Sequence, residues 1–369
     1  MLQNLRNRLQ QYELATRKRT RLRMDERENA SARVNGKLVI NFSSNDYFNL
    51  STHPKVKDAF MKGASEYGLG SGSSQLISGY FKPHYQLEEA FAEYFGYEKA
   101  LLFNSGYHAN LGIFTALAPL NSIFIADKYS HASLIDGMQL AKGAMRRFRH
   151  QDFNHAETLL QKYTDHPLFL VTESVFSMEG DITDITLFRE LALKYRAFSI
   201  VDHAHGIGFT DNIKNLDCLS IPLGKAFGSM GAIVLSKNEV IESLIQFART
   251  YCYTTALPPA IAAATLASLQ ILQDENDRIE KLKHLIQFFI REATARHLSI
   301  SSTSETPIKC ISISSNQKAL TVQQELLQKG FLVSCIRPPT VPTARIKISL
   351  NYAHTEENIL RLLDALITC

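Results

Sequence analysis

From about residue 98 to residue 248, short apolar runs alternate with stretches of helical period, and this rhythm restricts the chain to few architectures. Residues 100–103, 122–126, 145–149, 168–172, 198–201 and 232–235 predict strands. Residues 107–118, 133–141, 154–163, 187–195 and 239–248 predict the helices between and after them. Strands alternating with helices at this spacing imply an α/β fold with a mostly parallel sheet covered on both faces. Such sheets bind ligands beyond the carboxyl ends of their strands, so functional residues are sought just after the apolar runs.

The tail has a different pattern. Residues 260–273 and 279–291 predict long helices, and 308–314, 331–334 and 345–350 predict strands around a helix at 322–329. A chain of 369 residues exceeds one simple core. The expected division is an N-terminal helix and arm over 1–44, a large domain over 45–272 and a smaller α+β domain over 273–369. The first 23 residues have helical spacing, with Leu2, Leu5, Leu9 and Leu14 on one broad face. Arg17, Lys18, Arg19, Arg21 and Arg23 follow. The plainer reading of that cluster is a solvated face, and the sharper one is a positive rim for an anionic substrate.

Composition narrows the function classes. A formal net charge of +4 argues against a nucleic-acid partner. No run reaches the roughly 18 apolar residues of a membrane span. The five cysteines are scattered, with no C-x-x-C pair, which argues for a reducing compartment and against a metal site. A cytoplasmic protein is expected. A mitochondrial presequence is a second reading of the Arg-rich start, but Glu13 interrupts it and serine is scarce.

Three fragments stand at strand ends. The strand at 198–201 runs into Asp202-His203-Ala204-His205. Alone, an acid followed by a histidine is more often a turn cap beside a satisfied histidine. Lys225 lies between Gly224 and Ala226 in apolar surroundings, a setting that lowers an amine's pKa; a snorkelling lysine is an equal alternative. Asn104-Ser105-Gly106-Tyr107 lies between a strand and a helix, where Gly106 permits close approach and the helix N-terminus offers N–H groups to an anion. Together the fragments describe a site for pyridoxal phosphate (PLP). PLP needs a lysine for an imine, an acid for the pyridine nitrogen, a ring cover and a phosphate cup. Lys225, Asp202 and Ser105–Tyr107 suit three of these needs, and His131, from another strand end, suits the ring cover.

With these residues in place, further motifs fall in order: Asn45-Asp46-Tyr47, Tyr67-Gly68-Leu69-Gly70-Ser71-Gly72, His84 with Leu87-Glu88, and Asp127 with His131-Ala132-Ser133. Glu173-Ser174-Val175-Phe176-Ser177-Met178-Glu179-Gly180-Asp181 and Pro258-Pro259 complete the set. Over residues 41–350 the chain resembles the α-oxoamine synthases, PLP-dependent transferases of fold-type I (aspartate aminotransferase-like). The stretch 337–342 with Thr343-Ala344-Arg345 is most similar to the family member that joins L-alanine to a pimeloyl thioester, on acyl-carrier protein or CoA, with release of CO2. The resemblance implies that Lys225 carries the imine and moves protons, that Asp202 pairs with the pyridinium and that His131 stacks on the ring. His205 and Ser177 would hold the phenolic-oxygen side, and Gly106 and Tyr107 would lie near the phosphate. Asn45 and Arg345 would hold the amino-acid carboxylate, with Thr340 beside them and Arg19 at the acyl-chain entrance. Thr255 matches a residue that reaches the phosphate of a neighbouring subunit, which implies a homodimer.

The chain departs from the family's pattern between Asp202 and Lys225. That segment is short and includes Phe209-Thr210-Asp211-Asn212-Ile213-Lys214. Pro222 stands where a phosphate-binding Thr or Ser is usual, so one contact is expected to be lost. The loop between Pro342 and Thr343 is also short. A glycine-using member of the family and a PLP-binding protein with little turnover are the alternative readings.

Overall fold

A computed structural model describes residues 1–210 and 213–369, so Asp211 and Asn212 of the shortened segment lie outside the described residues. The chain forms two compact units. One comprises Leu50–Ser177 and Ile182–Asn276; the other comprises Met1–Asn49, Met178–Asp181 and Asp277–Cys369. The strands are β1 (Met24–Glu28), β2 (Ser31–Val34), β3 (Lys37–Asn41), β4 (Lys99–Phe103), β5 (Ile123–Asp127), β6 (Ala144–Phe148) and β7 (Leu168–Glu173). They continue as β8 (Phe198–Asp202), β9 (Cys218–Pro222), β10 (Ala232–Ser236), β11 (Ile308–Ser312), β12 (Phe331–Leu332), β13 (Ser334–Ile336) and β14 (Arg345–Ser349).

The larger unit carries a seven-stranded sheet in the order β4-β10-β9-β8-β7-β5-β6. Strands β5 to β9 pair in parallel, and β10 runs antiparallel to both β4 and β9. The expected mostly parallel sheet is therefore present. Its inner strands β5, β7 and β10 are buried along their whole length, as both covered faces require, and their sequences are accordingly apolar nearly end to end. Leu101, Phe103, Phe124, Phe169, Val171, Ile200 and Val234 pack into one core with the helices Gly106–Leu117, Ala132–Leu140 and Asn238–Phe247. Strand β9 was not among the expected strands; it is a five-residue run that follows a polar stretch, and it inserts between β8 and β10. On β4, the Leu102 N–H donates to Glu88 Oε1 (2.8 Å), and the Leu102 carbonyl accepts from Gln75 Nε2 (2.9 Å). The Tyr80 hydroxyl donates to the second Glu88 oxygen at 2.6 Å.

The smaller unit carries two sheets. In one, β1, β2 and β3 form an antiparallel meander, and β12 joins β3 in parallel. Asn35 and Gly36, at φ of 48° and 80°, make the turn between β2 and β3. In the other sheet, β14 pairs antiparallel with β11 and β13. The N-terminal helix spans Leu2–Leu14 and buries no residue. The helical spacing of the first 23 residues thus yields a helix over only part of that length. The chain turns at Thr16, at φ 53°, and the following residues are tied instead by Arg337, which donates to the carbonyls of Thr16 and Lys18. Among the described residues, no helix is long and apolar enough to cross a membrane.

Candidate active site

Strand β8 delivers Asp202 to the carboxyl edge of the large sheet, and β7 delivers Glu173 beside it, the two being register partners. Both carboxylates are buried. The Ala204 N–H donates to Asp202 Oδ1 (3.1 Å) and Asn110 Nδ2 donates to Asp202 Oδ2 (2.8 Å). The same Asn110 amide donates to Ser133 Oγ at 2.9 Å, and that hydroxyl lies 2.8 Å from His131 Nδ1. The His131 N–H donates to Glu173 Oε1 at 2.7 Å. Asp202, Asn110, Ser133 and the His131 imidazole therefore form one chain of side-chain contacts, and the His131 backbone N–H ties Glu173 to it.

Asp202, Ser133, His131 and Glu173 line a cavity of about 150 Å3 together with Gly106, Tyr107, Ala204, His205, Pro222 and Lys225. Lys225 follows β9 in a tight loop, where the Gly228 N–H donates to the Lys225 carbonyl at 3.0 Å. Burial pushes its amine below the usual lysine range, against the opposing pull of Asp202 and Glu173. Burial also pushes the Glu173 carboxyl well above its usual range, and the Asp202 charge acts in the same direction. The His131 imidazole is pushed down by burial, with Asp202 opposing and Lys225 assisting. His203, beside Ser174 Oγ at 2.8 Å, is pushed down to about 3 by burial. At neutral pH these shifts describe neutral imidazoles and a lysine readier than usual to lose its proton.

At the other side of the cavity the helix Gly106–Leu117 begins. Its cap, Ser105, accepts the His108 N–H at 3.2 Å, which leaves the amides of Gly106 and Tyr107 for an outside acceptor. A Cβ on Gly106 would lie 2.6 Å from Pro222 Cγ, so glycine is needed for the close pass of the two backbones. A pyridine aldehyde phosphate needs an amine, an acid, a flat cover and an anion cup. The cavity offers Lys225, Asp202, His131 and the Gly106–Tyr107 amides, so the residues present fit that group.

Of the expected cofactor residues, Gly106, Tyr107, His131, Asp202, His205 and Lys225 meet at this cavity, and Ser177 and Thr255 are not among its lining residues. Ser177 is half-buried; Thr255 is exposed, and its carbonyl accepts from Asn104 Nδ2 at 2.7 Å. The expected substrate residues belong to the other unit. There, exposed Arg19 reaches Thr340 Oγ1 at 3.4 Å. Arg345, at the start of β14, is buried and pairs with Glu179. Asn45 is half-buried, and its carbonyl accepts the Tyr47 N–H at 2.9 Å. Glu173, Asn110 and Ser133 join the site beyond the residues expected from the sequence. Glu173 carries the same signal as Asp202, an acid closing a buried apolar strand.

A family model, aminotransferase class I and II, matches residues 37–366. The chain belongs to the aminotransferase class I and II family. A curated relative, the 8-amino-7-oxononanoate synthase of Saccharophagus degradans, is 44% identical over 90% of this chain and 88% of its own length. A solved 8-amino-7-oxononanoate synthase from Francisella tularensis is 35% identical, with a TM-score of 0.77 over 89% of this chain and 97% of that one. A serine palmitoyltransferase from S. paucimobilis, solved with a bound PLP–myriocin aldimine, is 26% identical, with a TM-score of 0.93 over 99% of this chain and 96% of that one. The two solved structures share the fold-type I architecture of this chain.

Proposed function

We propose that this chain is a PLP-dependent acyltransferase that joins L-alanine to a pimeloyl thioester, giving 8-amino-7-oxononanoate, CO2 and the free thiol carrier, a step of biotin formation. The observation that carries the reading is the amine of Lys225 facing the two buried carboxylates of Asp202 and Glu173 in one cavity with a helix N-terminus. The names of relatives at 35–44% identity support the choice of substrates. In the reaction the alanine α-carboxylate leaves as CO2, a carbon–carbon bond forms to the acyl carbon and the C–S bond breaks.

Bound PLP supplies a cationic ring that stabilises negative charge at the amino acid's α-carbon. Lys225 tethers the cofactor and, with its lowered proton affinity, takes and returns a proton at the α-carbon. Asp202, held by Asn110 and Ala204, keeps a proton on the ring nitrogen. His131, fixed by Glu173 and Ser133, covers the ring. Gly106 and Tyr107 receive the phosphate, while His205 and Ser177 hold the phenolic oxygen. Asn45 and Arg345 hold the amino-acid carboxylate, with Thr340 beside them, and Arg19 meets the acyl substrate. Thr255 serves the phosphate of a second copy, so the working form is a homodimer. The acyl carrier is acyl-carrier protein or CoA, and the enzyme works in the cytoplasm. The test is a product assay with alanine and each pimeloyl thioester. Labelled CO2 and 8-amino-7-oxononanoate are expected; product with glycine and a short acyl-CoA, but none with alanine, would overturn the substrate choice.

A further inference from the structure

The four residues Met178–Asp181 interrupt the larger unit's run of chain and fold with the smaller unit. They are firmly fixed there. The Met178 carbonyl accepts from Cys310 Sγ at 2.7 Å, and the Gly180 carbonyl accepts from Thr306 Oγ1 at 2.5 Å and from the Ser304 hydroxyl. Gly180 sits at φ 73°, and a Cβ there would run into the Ile308 carbonyl, so only glycine lets the segment lie this close to β11.

This anchoring aims Glu179 at Arg345, and the carboxylate pairs with Nη1. The Arg345 side chain is 6% exposed and that of Glu179 20%. Arg345 Nε is buried and has no hydrogen-bond partner. A guanidinium has five donors in a fixed fork. With one acid on Nη1 and an orphaned Nε, Arg345 keeps donors for a second carboxylate. A buried cation with no counter-charge is costly, and in the free protein Glu179 meets that need.

We propose that Glu179 is a specificity-determining residue, a resident carboxylate that holds Arg345 in place and competes with the α-carboxylate of the incoming amino acid. This rests on the proposed reading of Arg345 as the residue that takes that carboxylate. The competition weakens binding of any ligand that brings a carboxylate alone, so an amino acid must add its amine to bind.

The experiment titrates PLP-loaded protein with L-alanine and follows the visible absorbance of the cofactor. In Glu179→Gln the alanine Kd is expected to fall roughly fivefold to tenfold, the scale of removing one competing charge-assisted contact. The Kd for L-alaninamide, which has no carboxylate, is expected to stay at the value of the unaltered protein. Glu179→Asp is expected to restore the weaker alanine binding. An alanine Kd that is unchanged or higher in Glu179→Gln overturns the proposal, as does an equal shift for the amide. Arg345→Gln separates the two readings: loss of the alanine response with the amide response kept supports Arg345 as the carboxylate site. An unchanged alanine response there overturns the role of Arg345 itself.

Discussion

Lys225 and the stretch from Arg17 to Arg23 both carry positive charge, in opposite settings. The amine of Lys225 is shielded with Asp202, Glu173 and His131; Asp202 bears on the protonation of the other three, and Lys225 on that of Glu173 and His131. The basic stretch follows a helix that buries no residue; its Lys18 is 55% exposed and pairs with exposed Glu13. Buried charge therefore acts at contact range and selects which atom holds a proton. Exposed charge acts only as a field that fades over a Debye length of about 8 Å at physiological salt.

The sharpest way to break this contrast is to neutralise a buried partner. On the proposed reading, Asp202→Asn removes the carboxylate that faces the ring nitrogen, and kcat is expected to fall by about 10^2–10^3-fold, with a much smaller loss of bound PLP. Steady-state rates and cofactor content measured on the same preparation check this; equal losses in both would make Asp202 a structural residue.

Glu88 extends the contrast to a buried acid outside the cavity. Burial raises its carboxyl to about 7, with Tyr80, Leu102 and Lys99 pulling it down. Because its folded value lies above the unfolded value of 4.5, its stabilising contribution is full below pH 4.5 and is lost as pH rises through about 7. The loss over that window is about 3 kcal/mol. In Glu88→Gln, urea midpoints across the window should lose this dependence; a slope identical to that of the unaltered protein would refute it.

Pro222→Thr restores a hydroxyl at the cavity wall beside Gly106, and PLP is expected to bind about tenfold more tightly, one hydrogen bond to a charged phosphate. Equilibrium dialysis decides, and an unchanged Kd would mean that a backbone N–H already serves there. The smallest effect belongs to the exposed side. Reversing Arg19 and Arg21 to Glu should raise the thioester KM roughly threefold and flatten its salt dependence, while alanine binding stays as it was. A double variant whose thioester response matches that of the unaltered protein at both low and high salt would leave the cluster as a solvated face.

The large sheet and its strand-end residues were legible because a sheet buried on both faces makes its strands apolar nearly end to end, and an acid closing such a strand stands out. Lys225, Asp202, His131 and Gly106 could thus be named from pattern and chemistry. The β1–β3 meander was hidden, since β1 reads Met-Asp-Glu-Arg-Glu with every residue exposed. Its local marks are the turn pair Asn35-Gly36 and the three-residue apolar run Leu38-Val39-Ile40. Strand β9, as long as its neighbours, was hidden by the polar run before it and by Ser220 and Pro222 within it. The Glu179–Arg345 pair joins residues far apart in the chain, and no local pattern announces it.

The clasp on Leu102 has a consequence for the company the chain keeps. Strand β4 ends the large sheet, and an end strand offers a row of free backbone groups to any extended segment that passes. Glu88 and Gln75 occupy the outward N–H and carbonyl of Leu102, the fourth of the strand's five residues. At the opposite end, β6 carries Arg146 and Arg147, one charge toward each face of the sheet, which suits water better than another strand. Both rims of the sheet are thereby made poor templates for a stray strand, which protects a crowded population of newly made chains from stacking edge to edge.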